Sequence, residues 1–466
     1  MKKVVTRFPP SPTGNLHVGS VRTALFNYLY AKHHGGTCLF RIEDTDRERS
    51  KKEYEQNFID GLKWLGLDFD FTNIIRQSER GELYAKYLKK MVDDGHAYVS
   101  QEDLSAEAVD ANKPYSEKAG EKKRTEVIRF KNPNTVITFP DIIRGDVTFD
   151  TTELGDFVIA KSFSEPLYHL GVVIDDHEMG VTHVIRGEDH ISNTPRQILI
   201  GRAIGAEQPI YGHLPLILAA DRSKLSKRKG SRAVTEYQEM GFLPEAVINY
   251  TAFLGWNPGT EQEIFSLDEL IAAFDTDRVQ KAGAIYNEEK LRWINHEYLK
   301  KMPAADLHAR IAEKFAVAAT NHNPSPELVA ALAPIVLDRI ETFGDLDKLI
   351  ADGEFDYFFA APAPEASALV WKDSTPADTL KHLAHAIDTL STLSRDKKYT
   401  VDEIKGLLWD YATEQGRGAV LWPIRFALTG RAKSPDPFTV AHIIGIPETL
   451  ARLAVACKKL SEQPSS

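Results

Sequence analysis

Cysteine is nearly absent: Cys38 and Cys457 are the only two in 466 residues. That scarcity excludes a disulfide framework and any zinc site built mainly from thiolates. Long apolar runs are missing too. Nowhere does the chain approach the roughly 18–20 uninterrupted apolar residues of a membrane span, so no membrane partner is expected. The opening Met1-Lys2-Lys3-Val4-Val5-Thr6-Arg7 runs into Pro9-Pro10-Ser11-Pro12 without an apolar stretch of signal-peptide length, and the expected location is the cytoplasm. No internal repeat and no extended low-complexity tract occurs. With 42% hydrophobic and 27% charged residues the composition is that of a globular protein, too long for one compact core.

An excess of basic charge is also lacking. Lys and Arg number 57 against 67 Asp and Glu, a formal charge of −10, whereas a protein that coats nucleic acid non-specifically is usually basic overall. Local runs oppose that sign. Arg222, Lys224, Lys227, Arg228, Lys229 and Arg232 cluster around Asp221, and Lys122-Lys123-Arg124 stands near Arg129 and Lys131. Each run alone reads as a solvated surface; together they leave room for a polyanion at one face.

The first ~65 residues read as strand, loop, helix, strand, helix. Lys3–Phe8 is β-branched and stops at Pro9-Pro10-Ser11-Pro12-Thr13-Gly14, which forbids regular structure. A helical pattern follows from Gly19 to Gly35-Gly36, then a buried strand over Thr37–Ile42. Asp44 or Thr45 is expected to cap the next helix, whose apolar face is Tyr54, Phe58, Leu62 and Leu65. This alternation predicts βαβ units and a parallel sheet. After about residue 95 the pattern changes to a polar stretch and the strands Val127–Phe130, Val136–Phe139 and Asp141–Phe149, an α+β insertion. The alternating pattern resumes with Tyr168–Ile174, Val181–Arg186, a helix over Thr194–Ile204 and a strand over Ile210–Leu218. Beyond Phe242 nearly everything reads as helix, divided by the Pro/Ala-rich Ala360–Ala366.

Two segments carry chemistry. Pro10–Ser20 lies between the first strand and first helix, where open α/β sheets bind ligands. The helix N-terminus there suits a phosphate, His17 can donate to a phosphate oxygen, and Gly19 lets an adenine approach the backbone. Lys224-Leu225-Ser226-Lys227-Arg228 follows the last sheet strand, where a lysine loop can balance charge moving onto a leaving pyrophosphate. A Walker-type P-loop is absent.

Together these segments resemble the two signature motifs of class I aminoacyl-tRNA synthetases, with Ser20 in place of the usual final His and Leu225 in place of the usual Met. Arg41-Ile42-Glu43-Asp44-Thr45-Asp46, Tyr168-His169-Leu170, Asp175-Asp176-His177, Gly180–Asp189 and Lys290–Asn295 narrow the resemblance to the bacterial-type glutamyl-tRNA synthetases. It continues through Pro423–Gly430 to Ser434-Pro435-Asp436-Pro437-Phe438, nearly the full length.

The resemblance implies an α/β fold: a Rossmann-type parallel-sheet catalytic domain in two halves, 1–95 and 166–220, split by an acceptor-end-binding insertion over 96–165. A stem-contact region with the lysine loop over 221–305 and an all-helical anticodon-binding half over 306–466, divided near 360–375, would follow. The implied reaction joins L-glutamate to tRNA(Glu) using ATP with Mg²⁺, in a monomer. Arg7, Tyr168 and Arg186 match the residues that hold the substrate's side-chain carboxylate, and Ser11 and Glu43 those around its α-carboxylate and α-amino groups. A guanidinium fork suits a carboxylate and a carboxylate suits an ammonium, although Glu43 could instead form a buried ion pair with Arg7 or Arg41. His17, Gly19, Glu188, Asp189, Lys224, Ser226 and Lys227 match the ATP site, with His17 and Lys227 as the catalytic pair. Arg339, Lys122 and Lys123 are the implied tRNA contacts.

Pro9 stands where relatives usually have alanine. The stretch His96-Ala97-Tyr98-Val99-Ser100 lacks the cysteines with which some relatives bind zinc, so no zinc is expected. A truncated paralogue that glutamylates a modified base of tRNA(Asp) lacks the helical half present here after Asp306. A catalytically dead tRNA-binding protein would be expected to have lost His17 or Lys227, and both are present.

Overall fold

The computed structural model of the protein describes residues 3–101, 126–226, 230–318, 322–372 and 374–462. The chain divides into two compact units, Met1–Tyr298 and Leu299–Ser466. Among the described residues no helix is long and apolar enough to cross a membrane.

The first unit begins with β1 (Val5–Phe8), α1 (Val18–His33), β2 (Thr37–Ile42), α2 (Lys52–Trp64), β3 (Ile75–Arg76) and α3 (Gly81–Asp93). The three strands form a parallel sheet with β2 in the middle. α1 is buried along most of its length, with Val21, Leu25 and Leu29 against the sheet. At its start His17 caps the helix.

The segment after α3 supplies β4 (Ala97–Gln101), β5 (Glu126–Phe130), β6 (Val136–Asp141), β7 (Gly145–Asp150), β8 (Phe157–Ser162) and β9 (Glu165–Pro166). β4, β5, β8 and β9 form one antiparallel sheet. The β6–β7 hairpin behaves differently: β6 joins a later strand in parallel through Tyr211 and Asp141 and so extends the edge of the parallel sheet. Ile128, Phe130, Phe139 and Ile159 share one buried core with Leu88, Leu170 and Ile198. The inserted strands are thus packed into the unit rather than folded around a core of their own.

α4 (Tyr168–Glu178), β10 (His183–Gly187), α5 (Thr194–Ile204), β11 (Ile210–Leu214) and β12 (Ile217–Leu218) follow. Tyr168–Ile174, where the alternating pattern resumes, is the first part of α4. Leu170, Gly171, Val172, Ile174, Asp175 and Asp176 are all buried in it. An apolar run that is buried nearly all round has no helical stripe to betray it. β10 and β11 are parallel, and β10 lies beside β1. Thr182 N donates to Val5 O at 2.9 Å, and Val5 N donates to Thr182 Oγ1 at 2.8 Å. The strand order β3-β2-β1-β10-β11 therefore reverses direction of growth between β1 and β10, which places the ligand crevice outside their carboxyl ends. Asn27 of α1 ties the two strands together, accepting from Thr6 Oγ1 on its carbonyl (2.9 Å) and donating to Ile185 O (2.8 Å).

The unit closes with α6 (Val234–Glu239), α7 (Pro244–Ala252), α8 (Leu267–Ala273), β13 (Ala284–Ile285), which pairs with β12, and α9 (Glu288–Lys301), within which the two-unit division falls. The expected cap of α2 is also corrected. α2 starts at Lys52 without a side-chain cap, and Asp44 accepts instead from Ser78 N (2.8 Å) and Ser78 Oγ (2.6 Å).

The second unit is helical: α10 (Ala304–Val317), α11 (Pro326–Leu337), α12 (Phe343–Ala351), α13 (Ala366–Leu369), α14 (Pro376–Leu390), α15 (Val401–Gln415), α16 (Arg417–Thr429), α17 (Pro437–Ile444) and α18 (Ile446–Ser461). Ile311, Phe315, Leu332 and Phe355 fill the core of its first part, and Leu383, Leu408, Ile424, Leu428 and Leu453 that of its second. α14 and α15 begin with capping boxes, Thr375 with Asp378 and Thr400 with Glu403.

Candidate active site

The loop after β1 is fixed by backbone bonds on both sides. Pro10 O accepts from Glu43 N (3.0 Å), Pro12 O accepts from Lys51 N (3.0 Å), and Leu16 N donates to Asn57 Oδ1 (2.8 Å). Ser11 is exposed on this loop. Its far end is His17, whose Nδ1 accepts from Gly19 N at 3.1 Å and from Ser20 N at 3.3 Å. An Nδ1 that accepts leaves the neutral ring's proton on Nε2, the tautomer suited to donation toward a phosphate oxygen. A Cβ on Gly19 would sit 3.1 Å from His17 Cε1, so a side chain there would crowd the ring.

The chain just after the lysine segment, at Ala233 and Val234, runs beside this loop. Leu16 O accepts from Val234 N (2.9 Å), and His17 forms an isolated antiparallel bridge with Ala233. Lys224 Nζ lies 3.2 Å from Asp189 Oδ2, an exposed pair of little energetic weight in solvent. Ser226 is exposed, and its carbonyl accepts from Ser231 N (3.0 Å). Lys227 lies outside the described residues, as do Lys122 and Lys123. Glu188 braces its own loop: Oε2 accepts from Arg144 Nη2 (2.5 Å) and Oε1 from Leu216 N (2.8 Å).

Behind the loop lies a buried ionic cluster. Arg41, fully buried, donates to Glu43 Oε1 (2.8 Å) and Asp176 Oδ1 (2.7 Å). Arg7 Nε approaches Asp176 Oδ2 at 3.2 Å. Asp175 accepts from Arg80 Nε (2.7 Å), Gln77 Nε2 (2.8 Å) and Tyr84 OH (2.9 Å). Burial alone would raise the Asp176 carboxyl, but the charges of Arg7 and Arg41 prevail and hold it below the ordinary carboxylate range. For Glu43 burial wins over Arg41, and its pKa is raised. Of the two ion pairs weighed for Glu43, the one with Arg41 forms, while Arg7 pairs with Asp176.

Three buried guanidinium nitrogens in this region have no hydrogen-bond partner: Arg41 Nε, which still faces Asp175 Oδ2 at 4.0 Å, and Arg7 Nη1 and Arg186 Nη1, for which no ion-pair contact stands in. Buried N–H donors are rarely left unmatched, and an exception calls for an explanation. Arg186 is otherwise engaged, with Nε 3.2 Å from His213 Nε2 and Nη2 donating to Thr194 Oγ1 at 2.8 Å. Tyr168 opens α4, and its hydroxyl lies 3.1 Å from His190 Nδ1. Burial raises the Tyr168 phenol, and the charges it senses are those of Arg186, Glu43 and Arg7. Burial first, then Arg186, pushes the His190 imidazole down to about 4, which keeps the ring neutral. The fold thus brings Arg7, Glu43, Tyr168 and Arg186 into one electrostatic neighbourhood.

Sequence reasoning weighed Arg41 only as an ion-pair partner of Glu43 and assigned no role to Asp141, Asp176 or His213. Asp175-Asp176 at the end of the apolar run Leu170–Ile174 was the available signal, since two acids on a buried helix need buried cations. Among the described residues no group of three or more His, Cys, Asp and Glu side chains could hold a metal ion. In the second unit Arg339 Nη2 donates to Glu354 Oε2 at 2.6 Å, Arg431 pairs with the same carboxylate, and Arg339 Nη1 is buried without a partner.

Comparison with known proteins agrees in both units. Residues 3–293 match the family of class I tRNA synthetases (E and Q), catalytic domain, and residues 289–457 match an anticodon binding domain. The glutamate–tRNA ligase of Lawsonia intracellularis is 41% identical over 97% of this chain and 98% of its own. That of Aquifex aeolicus is 40% identical over 92% and 93%. A crystal structure of a glutamate tRNA ligase from Elizabethkingia meningosepticum, in complex with its amino acid, superposes with a TM-score of 0.85 at 32% identity, covering 98% of this chain and all of the other. On the sheet order, the two motif loops and these likenesses over both units, the chain belongs to the glutamate–tRNA ligase family of class I aminoacyl-tRNA synthetases.

Proposed function

We propose that the protein activates L-glutamate with MgATP and transfers it to the 3′ end of tRNA(Glu). The α-carboxylate oxygen attacks the α-phosphorus, the bond to pyrophosphate breaks, and glutamyl-adenylate forms. A ribose hydroxyl of the tRNA then attacks the acyl carbon and AMP leaves. Neither step needs a protein nucleophile, so catalysis is positioning and charge stabilisation. His17 Nε2–H donates to a phosphate oxygen, and Lys227, with Lys224 and Ser226 on the same segment, meets the charge that builds on pyrophosphate. Gly19 and the Glu188–Asp189 turn border the adenosine. Mg²⁺ enters with ATP as substrate.

The observation that carries the reading is the pair of unpartnered buried guanidinium nitrogens, Arg7 Nη1 and Arg186 Nη1, beside Tyr168 and Glu43. Two donors without acceptors fit a γ-carboxylate, while Glu43 and the Ser11 loop take the α-amino and α-carboxylate groups. Glutamine has nearly the same shape, but its amide NH₂ would face a donor. Residues 96–165 are assigned to the acceptor end, 221–305 to the stem and 306–466 to the anticodon, with Arg339 a candidate anticodon contact. The protein is read as a cytoplasmic monomer that needs no zinc. ATP–pyrophosphate exchange tests the reading. It should depend on glutamate, be stimulated by tRNA(Glu) and not proceed with glutamine; exchange driven equally by glutamine would overturn the pocket assignment.

A further inference from the structure

Arg186 is not positioned by its own strand alone. Behind its Nε stands His213 of β11, completely buried, with Nε2 at 3.2 Å. Behind His213 stands Asp141, the last residue of β6, with Oδ2 2.5 Å from His213 Nδ1. The other Asp141 oxygen is anchored by backbone donors: Ile143 N at 2.9 Å, Arg144 N at 2.8 Å and His213 N at 3.3 Å. β6 comes from the inserted segment and reaches this position because it joins β11 in parallel at Tyr211 and Asp141.

We propose that Asp141 and His213 are positioning residues for glutamate recognition, a carboxylate–imidazole relay from the insertion that fixes the His213 tautomer and through it aims the Arg186 guanidinium at the substrate's γ-carboxylate. The inference rests on the reading of Arg186 given above. A carboxylate can only accept, so His213 Nδ1 carries the proton and Nε2 is bare. A bare Nε2 can accept from Arg186 Nε–H and from the Thr194 hydroxyl, 3.1 Å away. With Nε held by His213 and Nη2 by Thr194, the fork cannot rotate, and Nη1 is the nitrogen left over. The opposite tautomer would set N–H against N–H and push the guanidinium away. Burial, offset in part by Asp141 and reinforced by the Arg186 charge, favours the neutral imidazole that this arrangement needs. Burial would raise the Asp141 carboxyl, but the His213 and backbone donors overturn it and keep the carboxylate ionised.

The test uses the full-length protein and the Michaelis constants for glutamate and ATP in tRNA(Glu) aminoacylation. Asp141→Asn is isosteric and keeps an oxygen for the backbone donors, but its NH₂ forces His213 into the opposite tautomer. It should raise KM for glutamate about 10- to 100-fold, the range for a lost hydrogen bond to a charged group, with KM for ATP nearly unchanged. His213→Gln supplies an oxygen near the position of Nε2 and has no tautomer to invert, so its own KM for glutamate, raised or not, sets the baseline for the second comparison. In that background Asp141→Asn should lose most of its effect, a coupling that a merely structural Asp141 would not show. An equal penalty in both backgrounds would overturn the relay. So would an unchanged KM for glutamate in Asp141→Asn alongside a raised one in Arg186→Ala. If Arg186→Ala itself leaves KM for glutamate at the wild-type value, the pocket reading fails and the relay falls with it. Imidazole ¹⁵N shifts of the wild-type protein, assigned with His213→Gln, give a check independent of variant folding. A protonated Nδ1 and bare Nε2 are expected, and the reverse would refute the proposal.

Discussion

Arg7 and Asp176, 169 residues apart in the chain, meet through the guanidinium Nε at 3.2 Å, and the contact leaves Arg7 Nη1 buried without a partner. The carboxylate thus holds one edge of the fork and frees the other, so Arg7 is at once part of the buried ionic cluster and a candidate ligand for substrate. A variant at Arg7 therefore disturbs both stability and binding, whereas Arg186, which has no ion pair among its direct contacts, separates them better.

Arg186→Ala should raise KM for glutamate by two orders of magnitude or so and narrow the margin over glutamine, because a polar mismatch of this kind can account for discrimination of about 10⁴. Its KM for ATP should change little. Arg7→Ala should show the same kinetic signature and also lower the melting temperature, since breaking a buried pair costs about 3–5 kcal/mol. Steady-state kinetics with both amino acids, set beside thermal melts, checks the two effects separately.

The cluster also predicts an acid dependence. The Asp176 pKa is depressed in the folded state by Arg7 and Arg41, against the opposing push of burial. Its contribution to stability is complete above the ordinary Asp value of about 3.9 and is lost as pH falls through the lower folded value. Asp176→Asn should therefore be strongly destabilised near neutral pH, and the gap from wild type should shrink below about pH 4. A gap that stays constant down to pH 3 in thermal melts would contradict the ion-pair account.

His17 has two separable tasks. Through Nδ1 it caps α1, and Nε2–H is the donor proposed for the phosphates. His17→Asn can keep the cap and loses the donor, so it should retain stability while turnover collapses. His17→Ala should lose both, with about 1 kcal/mol of stability gone. Equal melting temperatures for the two variants would show that the Nδ1 bonds do not stabilise the helix.

Lys227→Ala should reduce the rate of glutamate activation far more than the affinity for ATP, because a lysine that meets the phosphates mainly in the transition state acts on kcat. Rapid-quench measurement of adenylate formation checks this. A near-normal activation rate would remove Lys227 from the catalytic step.

Much of this was readable beforehand because local rules and the global fold agree. The prolines and glycine of Pro9–Gly14 force the loop that opens the site, and alternating strands and helices predict the parallel sheet. The α2 cap misled because Asp44 finds donors on Ser78, 34 residues away, beyond the reach of any local signal. The relay from Asp141 to Arg186 was invisible for the same reason. It depends on β6 joining β11, which brings Asp141 to His213 across 72 residues, a pairing that no spacing within either strand announces.

The most direct measurement is aminoacylation of purified tRNA(Glu) with radiolabelled amino acid by the full-length protein in the presence of MgATP. The account predicts acid-precipitable label from glutamate, none from glutamine, and loss of the glutamate signal in Arg186→Ala at substrate concentrations near the wild-type KM. Failure of glutamate to label tRNA(Glu), or equal labelling by glutamine, would contradict it.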